Sequence, residues 1–246
     1  MISAHARIAL TIILLAGTSC STLTNVVNPQ RVDPGFRPKG LLVVQLAPKP
    51  GGYENDFDRE KYYPALADRI ASLPGVQSVS YIHIGPLKPP EPKVALTAEG
   101  DSAAPVQAIA EIVGPACFST LGLPLRTGRQ FDSRDDSTAP PVAIVSESLA
   151  KVLFPGSDPI GRRVDIGSDP GRRKLTIVGV AGNARLWKGQ GDAPPAIYVP
   201  LLQTNSNEQQ LVIRTAGDPA MLIPAVRYQI EHMGHETVRS AKPLVD

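Results

Sequence analysis

The chain has 246 residues, enough for one large domain or two small ones, with 25 basic against 23 acidic residues and a formal charge of +2. Its 42% hydrophobic and 20% charged residues are a globular balance. The 25 prolines, about a tenth of the chain and twice the usual share, exclude a long helical bundle, while proline plus glycine stays below the level of low-complexity chains. A balance so close to neutral gives no electrostatic case for nucleic acid. Two cysteines, Cys20 and Cys117, form no disulfide framework and no metal-ligand spacing.

No charge occurs from Ile8 to Gln30, and Arg7 stands just before this stretch. Its apolar centre carries Ile8, Leu10, Ile12, Ile13, Leu14 and Leu15, the candidate membrane anchor within an N-terminal segment 1–31. Three readings compete: a transmembrane helix, a cleaved secretory signal, and a lipoprotein signal ending at Cys20. All three export the rest of the chain, because Arg7 favours a cytoplasmic N-terminus.

The body opens with turns at Pro34-Gly35 and Pro38-Lys39-Gly40. Leu41 to Leu46 is then a short apolar run, read as a buried strand. Tyr62, Leu66, Ile70 and Leu73 fall on one helical face within 56–73, and Pro74-Gly75 stops that helix. Val76 to Ile84 reads as a strand, while the proline-rich 85–105 reads as a loop or an edge hairpin. Val106 to Val113 is a strand, 115–121 a short helix capped by Gly122, and 123–131 an irregular arm.

A second section starts near Asp132. Val142 to Val145 is a buried strand, and Ser146 is placed to cap a short helix carrying Leu149, Val152 and Leu153. Strands at 162–166 and 175–180 flank a hairpin loop, and 196–201 is a further strand. Leu211 to Arg214 opens the last section. Asp218 then caps a helix with Pro219 at its first position and Leu222, Val226 and Ile230 as its stripe. Pro224 falls inside that helix and is expected to kink it. A strand from Glu236 to Ala241 closes the chain. The opening strand–helix–strand recurs at the end, around a β-rich middle. That pattern is an α+β domain interrupted by an inserted subdomain.

Few motifs in the chain carry chemistry. There is no Walker sequence, and Gly179 to Gly182 lacks dinucleotide spacing. His232 and His235, with Glu231 and Glu236, have metal-ligand chemistry, but a solvated helix end is the simpler reading. Asp132, Asp135 and Asp136 have calcium-ligand chemistry, with a solvated turn again simpler. Ser148 and Lys151 spell Ser-x-x-Lys, the start of a serine-hydrolase motif whose other members do not follow. Arg162, Arg163, Arg172, Arg173 and Lys174 gather at one hairpin, either a solvated rim or a surface for an acidic partner or lipid headgroups.

Six motifs in order carry a resemblance: 32–36, Gly122 to Phe131, Phe154 to Arg163, Ile177 to Arg185, Tyr198 to Leu201, and Arg214 to Pro219. Together they resemble the MacB-like periplasmic core domain of FtsX-like ABC transporter permeases, especially duplicated orphan permeases. The resemblance implies a porter-like strand–helix–strand subdomain at 38–131 and 206–246, an inserted β-rich subdomain at 132–205, and one membrane or signal helix before them. It implies an extracytoplasmic domain of the bacterial inner membrane that has no catalytic residues, cofactor or metal. The implied partners are further membrane helices or a second permease chain, a cytoplasmic ATPase subunit, and a periplasmic adaptor. Gly128, Arg129, Phe131, Asp158, Pro159, Gly161, Gly179 and Pro200 become turn and packing positions under this reading. The membrane helices usual after such a domain are absent, so the sequence reads as a fragment, a truncated gene or part of a split protein.

Overall fold

The computed structural model describes residues 33–54, 57–83, 93–100, 104–167, 171–186, 192–206 and 209–244. The anchor residues Ile8, Leu10, Ile12, Ile13, Leu14 and Leu15, and Cys20, lie outside the described residues. Among the described residues no helix is long and apolar enough to cross a membrane.

The apolar run forms β1 (Leu41–Pro48). Helix α1 (Arg59–Ala71) starts where the Asp58 carboxylate accepts the Lys61 N–H at 3.2 Å, and it buries Tyr62, Tyr63, Leu66 and Ile70. Gly75, at φ +88°, turns the chain into β2 (Val76–Ile82). Then come β3 (Val94–Ala98), β4 (Val106–Val113) and α2 (Cys117–Leu121), which Gly122 ends in the left-handed region. β5 (Leu125–Gly128) and β6 (Val142–Ser146) come next. The Ser146 hydroxyl accepts the Leu149 N–H at 3.3 Å and so caps α3 (Glu147–Leu153). β7 (Arg163–Ile166), β8 (Arg173–Ala181), β9 (Ala196–Pro200) and β10 (Gln210–Thr215) lead to α4 (Ile223–His232) and β11 (Glu236–Pro243).

Four strands in the order β11-β1-β10-β2 form an antiparallel sheet. With α1 and α4 this is a split strand–helix–strand pair. Leu42, Val44 and Leu46 face the helices and meet Leu66, Ile70, Val226 and Ile230. Leu41 and Val43 point the other way, into a central core with Phe36, Phe118 and Phe131. Burial on both faces is why β1 reads as an unbroken apolar run rather than an alternating one.

The remaining strands close on themselves. The ring runs β4-β3-β7-β8-β6-β9 and returns to β4 through parallel pairing of Ile109–Val113 with Ala196–Pro200. Closure leaves these strands without a free edge. Leu96, Ala143, Val145, Val164, Leu175, Ile177 and Ile197 fill the ring together with α3. β3 and β4 belong to the ring although they precede residue 132. Among the described residues a single strand pairing, Ile82 with Val113, joins the ring to the open sheet.

Three local expectations are corrected. Part of 85–105 is neither loop nor edge, since β3 is paired on both sides. The arm at 123–131 contains β5, which pairs with β8. Pro224 does not fall in the interior of the last helix. Residues Pro219–Leu222 form a 3-10 turn, and α4 begins only at Ile223. Pro224 therefore stands in the first helical turn, where its missing N–H removes no bond.

Candidate functional site

The open sheet has two distinct ends. β1 and β11 are antiparallel, with Leu42 opposite Pro243 and Pro48 opposite Glu236. Leu244 N–H donates to the Leu41 carbonyl at 2.8 Å, so the entering and leaving strands lie side by side at one end. We call this end proximal and the Glu236 end distal.

Glu236 is fully buried at the distal end. Tyr53 donates its hydroxyl to Glu236 Oε1, and Tyr62 donates to Oε2 at 3.0 Å. Burial pushes the Glu236 carboxyl up to about 7, and the two hydroxyl donors act against that rise. Burial, then the nearby carboxylate, drives both phenols well above their ordinary range. The Phe57 ring lies tilted 4.5 Å from that of Tyr53 and 5.2 Å from that of Tyr62, and Tyr81 donates to the Tyr63 carbonyl at 2.9 Å. Arg59 sits 6.0 Å over the Tyr63 ring and donates to the carbonyls of Thr204 and Ser206 at 2.5 and 2.7 Å. Beside this cluster runs an open groove of about 630 Å³ lined by Phe57, Arg59, Glu60, Ser137, Leu202 and Thr204.

The motif residues fall elsewhere, around the ring. Gly128 has φ +77°, and a Cβ there would stand 2.2 Å from the Val178 carbonyl. Arg129 donates twice to the buried Asp135 carboxylate, both at 2.7 Å. Phe131 is buried with its ring 6.4 Å from Phe118. Asp158 Oδ1 accepts the Ile160 N–H at 3.0 Å, and the Pro159 carbonyl accepts the Arg162 N–H at 3.1 Å. Gly161, at φ +77°, donates its N–H to Ile177 at 2.8 Å. A Cβ on Gly179 would lie 2.6 Å from the Arg129 carbonyl. Pro200 is buried opposite Val113 at the end of β9. None of these residues lines the distal groove.

The weighed chemical clusters come apart. His232 Nδ1 is 2.8 Å from the Tyr228 carbonyl, whereas His235 Nδ1 is 2.8 Å from that of Gly52. Asp132 pairs with Arg134, Asp135 with Arg129, and Asp136 accepts the N–H groups of Thr138 and Ala139. Among the described residues no three His, Cys, Asp or Glu are grouped to hold a metal ion. The Ser148 hydroxyl lies 3.0 Å from that of Ser146, while Lys151 is exposed. The basic hairpin is interleaved with acids: Glu99 meets Arg163 and Lys174, and Asp165 meets Arg172. Arg162 lies 5.3 Å over the Phe154 ring.

Sequence reading missed Tyr53, Arg59, Arg214 and Glu236 as organising residues. Tyr53 and Glu236 are 183 positions apart, and no local pattern links them. Arg214 does carry a signal, a charge at the end of the apolar run Leu211-Val212-Ile213.

Comparison with known proteins agrees with this architecture. Residues 8–232 match the model of the MacB-like periplasmic core domain. The chain is 35% identical over 68 residues to the macrolide export ATP-binding/permease protein MacB of Neisseria gonorrhoeae, covering 28% of this chain and 10% of that protein. It is 34% identical over 74 residues to the MacB of Haemophilus ducreyi, covering 30% and 10%. The chain thus spans about a tenth of the length of the curated relatives it matches. The periplasmic region of MacB from Actinobacillus actinomycetemcomitans superposes with a TM-score of 0.55 at 15% identity, over 85% of this chain and 90% of that one. A permease-protein domain from Porphyromonas gingivalis gives 0.53 at 16%, over 86% and 95%. At these identities the solved structures speak for the mixed α+β fold, and the family match covers most of the chain: it belongs to the MacB-like periplasmic core domain family.

Proposed function

We propose that this domain works outside the inner membrane as the extracytoplasmic core of an ABC transporter permease. In this reading it is non-catalytic and couples ATP-driven membrane movement to efflux or mechanotransmission. ATP is hydrolysed by a cytoplasmic ATPase subunit. The proximal end faces the bilayer, tethered through the 1–31 segment and working with further membrane helices or a second permease chain. The distal groove meets cargo or a periplasmic adaptor. The division into a porter-like part (38–131 and 206–246) and a β-rich part (132–205) becomes a pair of lobes, with β3 and β4 lent by one to the other.

The observation that carries the reading is the bond between Leu41 and Leu244, which puts the entering and leaving strands side by side. A domain with that geometry can be held by one bilayer through both ends, and a rigid sheet then passes motion to the opposite end. Membrane fractionation tests it. The full chain is expected to sediment with the inner membrane and to be digested by protease added to spheroplasts. A soluble product protected inside the cell overturns the reading. Mass spectrometry of the mature N-terminus separates the anchors: an intact N-terminus supports a helix, and a lipidated Cys20 supports a lipoprotein.

A further inference from the structure

Three motifs distant in sequence meet on one segment, residues 33–40. Each grips it from a different element. Gly35 has φ +81°, and a Cβ there would stand 2.0 Å from the Asn183 carbonyl, so only glycine allows this approach. Next to it, Arg185 N–H donates to the Pro34 carbonyl at 2.8 Å. Asn183 also reaches α3, its Oδ1 accepting the Ser148 N–H at 2.9 Å. Phe36 is buried in the central core. Arg37 N–H donates to the Leu121 carbonyl at 2.9 Å, and Gly122 is so close that a Cβ would lie 2.4 Å from Arg37 Nε.

From β10, Arg214 gathers the rest. Its Nη2 donates to the Arg37 carbonyl at 2.8 Å and its Nη1 to the Lys39 carbonyl at 2.5 Å. Its Nε and Nη2 also donate to Thr120, at 3.0 and 2.8 Å. Thr215 holds the Gly40 carbonyl with its N–H at 2.9 Å and its hydroxyl at 3.2 Å. The 183–185 stretch continues from β8 of the ring, whereas Arg214 and Thr215 belong to the open sheet. Among the described residues, only Ile82 with Val113 links the ring to β2 in that sheet by strand pairing. The segment spans both bodies at the end where the chain enters.

We propose that residues 33–40 are a coupling strap, fastening the ring and the helix-backed sheet together, with Arg214 as its principal tie. A pull on the entering chain then moves both bodies at once instead of unzipping one from the other. A planar guanidinium suits this role because its fixed fork reaches three carbonyls together, which a lysine ammonium on one flexible stem does not. This proposal rests on the membrane-coupling reading above and names its path.

Site-resolved hydrogen exchange on the full chain tests it, comparing wild type with Arg214→Gln and the milder Arg214→Lys. Arg185 N–H is the decisive reporter, because it is held by Pro34 and has no bond to Arg214. Release of the strap should speed exchange about tenfold at Arg37, Thr215 and Arg185 together in Arg214→Gln, and about threefold in Arg214→Lys. Asp135→Asn, which weakens the ring elsewhere, should leave the Arg37 and Thr215 amides as in wild type. If Arg214→Gln does not fold, the lysine variant decides by the same three amides. Faster exchange at Arg37 and Thr215 with Arg185 unchanged overturns the strap. That result leaves the membrane assignment standing, whereas a cytosolic location removes the assignment without altering the exchange pattern.

Discussion

The two ends of the open sheet are fastened by different chemistry. At the proximal end the bonds run from a guanidinium and backbone N–H groups to carbonyls, with glycine where backbone must touch backbone. At the distal end one buried carboxyl collects two phenol donors under a cap of aromatic rings. Burial holds the distal carboxyl at about 7. The distal end therefore carries a group placed to respond to the pH of its surroundings.

Backbone contact should give the largest effect. Gly35→Ala forces a Cβ to 2.0 Å from a carbonyl oxygen at positive φ. It should cost about 3 kcal/mol or more in chemical denaturation. Gly75→Ala is the matched control: φ is +88°, but nothing lies within 4 Å of the added Cβ. Its cost should be about 1 kcal/mol. Equal losses would mean that strain, not contact, makes the proximal end.

The distal end should give the next effect, and its sign is fixed. The carboxyl rises from its ordinary 4.5 to about 7 on folding. The folded state thus binds the proton more tightly, and stability falls as pH rises through that window. Between pH 5 and 8 the loss should be about 2 kcal/mol, and Glu236→Gln should flatten this slope. A wild-type slope that survives in the glutamine variant would place the titrating group elsewhere.

Smaller effects sharpen the contrast away from both ends. Asp135→Asn unbalances a carboxylate that Arg129 holds by two bonds, with Arg129 itself partly exposed. Thermal or urea melting should register about 1–2 kcal/mol. At the 3-10 turn before α4, Asp218→Ala removes the acceptor of the Ala220 N–H. That cap should be worth about 1 kcal/mol, whereas Pro224→Ala should stay within about 0.5 kcal/mol because the ring sits in the first turn. A large Pro224 effect would restore the kink that the sequence rule predicts.

Much of the fold is legible because its signals are local. Spacing at Tyr62, Leu66 and Ile70 marks α1, Ser146 marks the start of α3, and Gly122 marks the end of α2. β3 is lost to that approach because its Val94, Leu96 and Ala98 come after a run of prolines, and its pairing with β7 is decided by residues 65 or more positions away. The 3-10 turn at Pro219–Leu222 is invisible for another reason: Asp218 and Pro219 start either kind of helix. The motifs show that 32–36 and Arg214 matter but not that they touch. Arg214 and Arg37 are 177 positions apart, and only the antiparallel pairing of β1 with β10 brings them together. The Glu236 cluster depends on the same kind of distant return.

The most direct test of the central claim, that this body stands outside the membrane, is labelling at one exposed position. Met221 is 78% exposed at the start of the last helical section, and Cys117 is buried at 1%. Met221→Cys, compared with wild type in spheroplasts, should react with a membrane-impermeant maleimide before any lysis. Labelling that appears only after the inner membrane is broken would contradict the account.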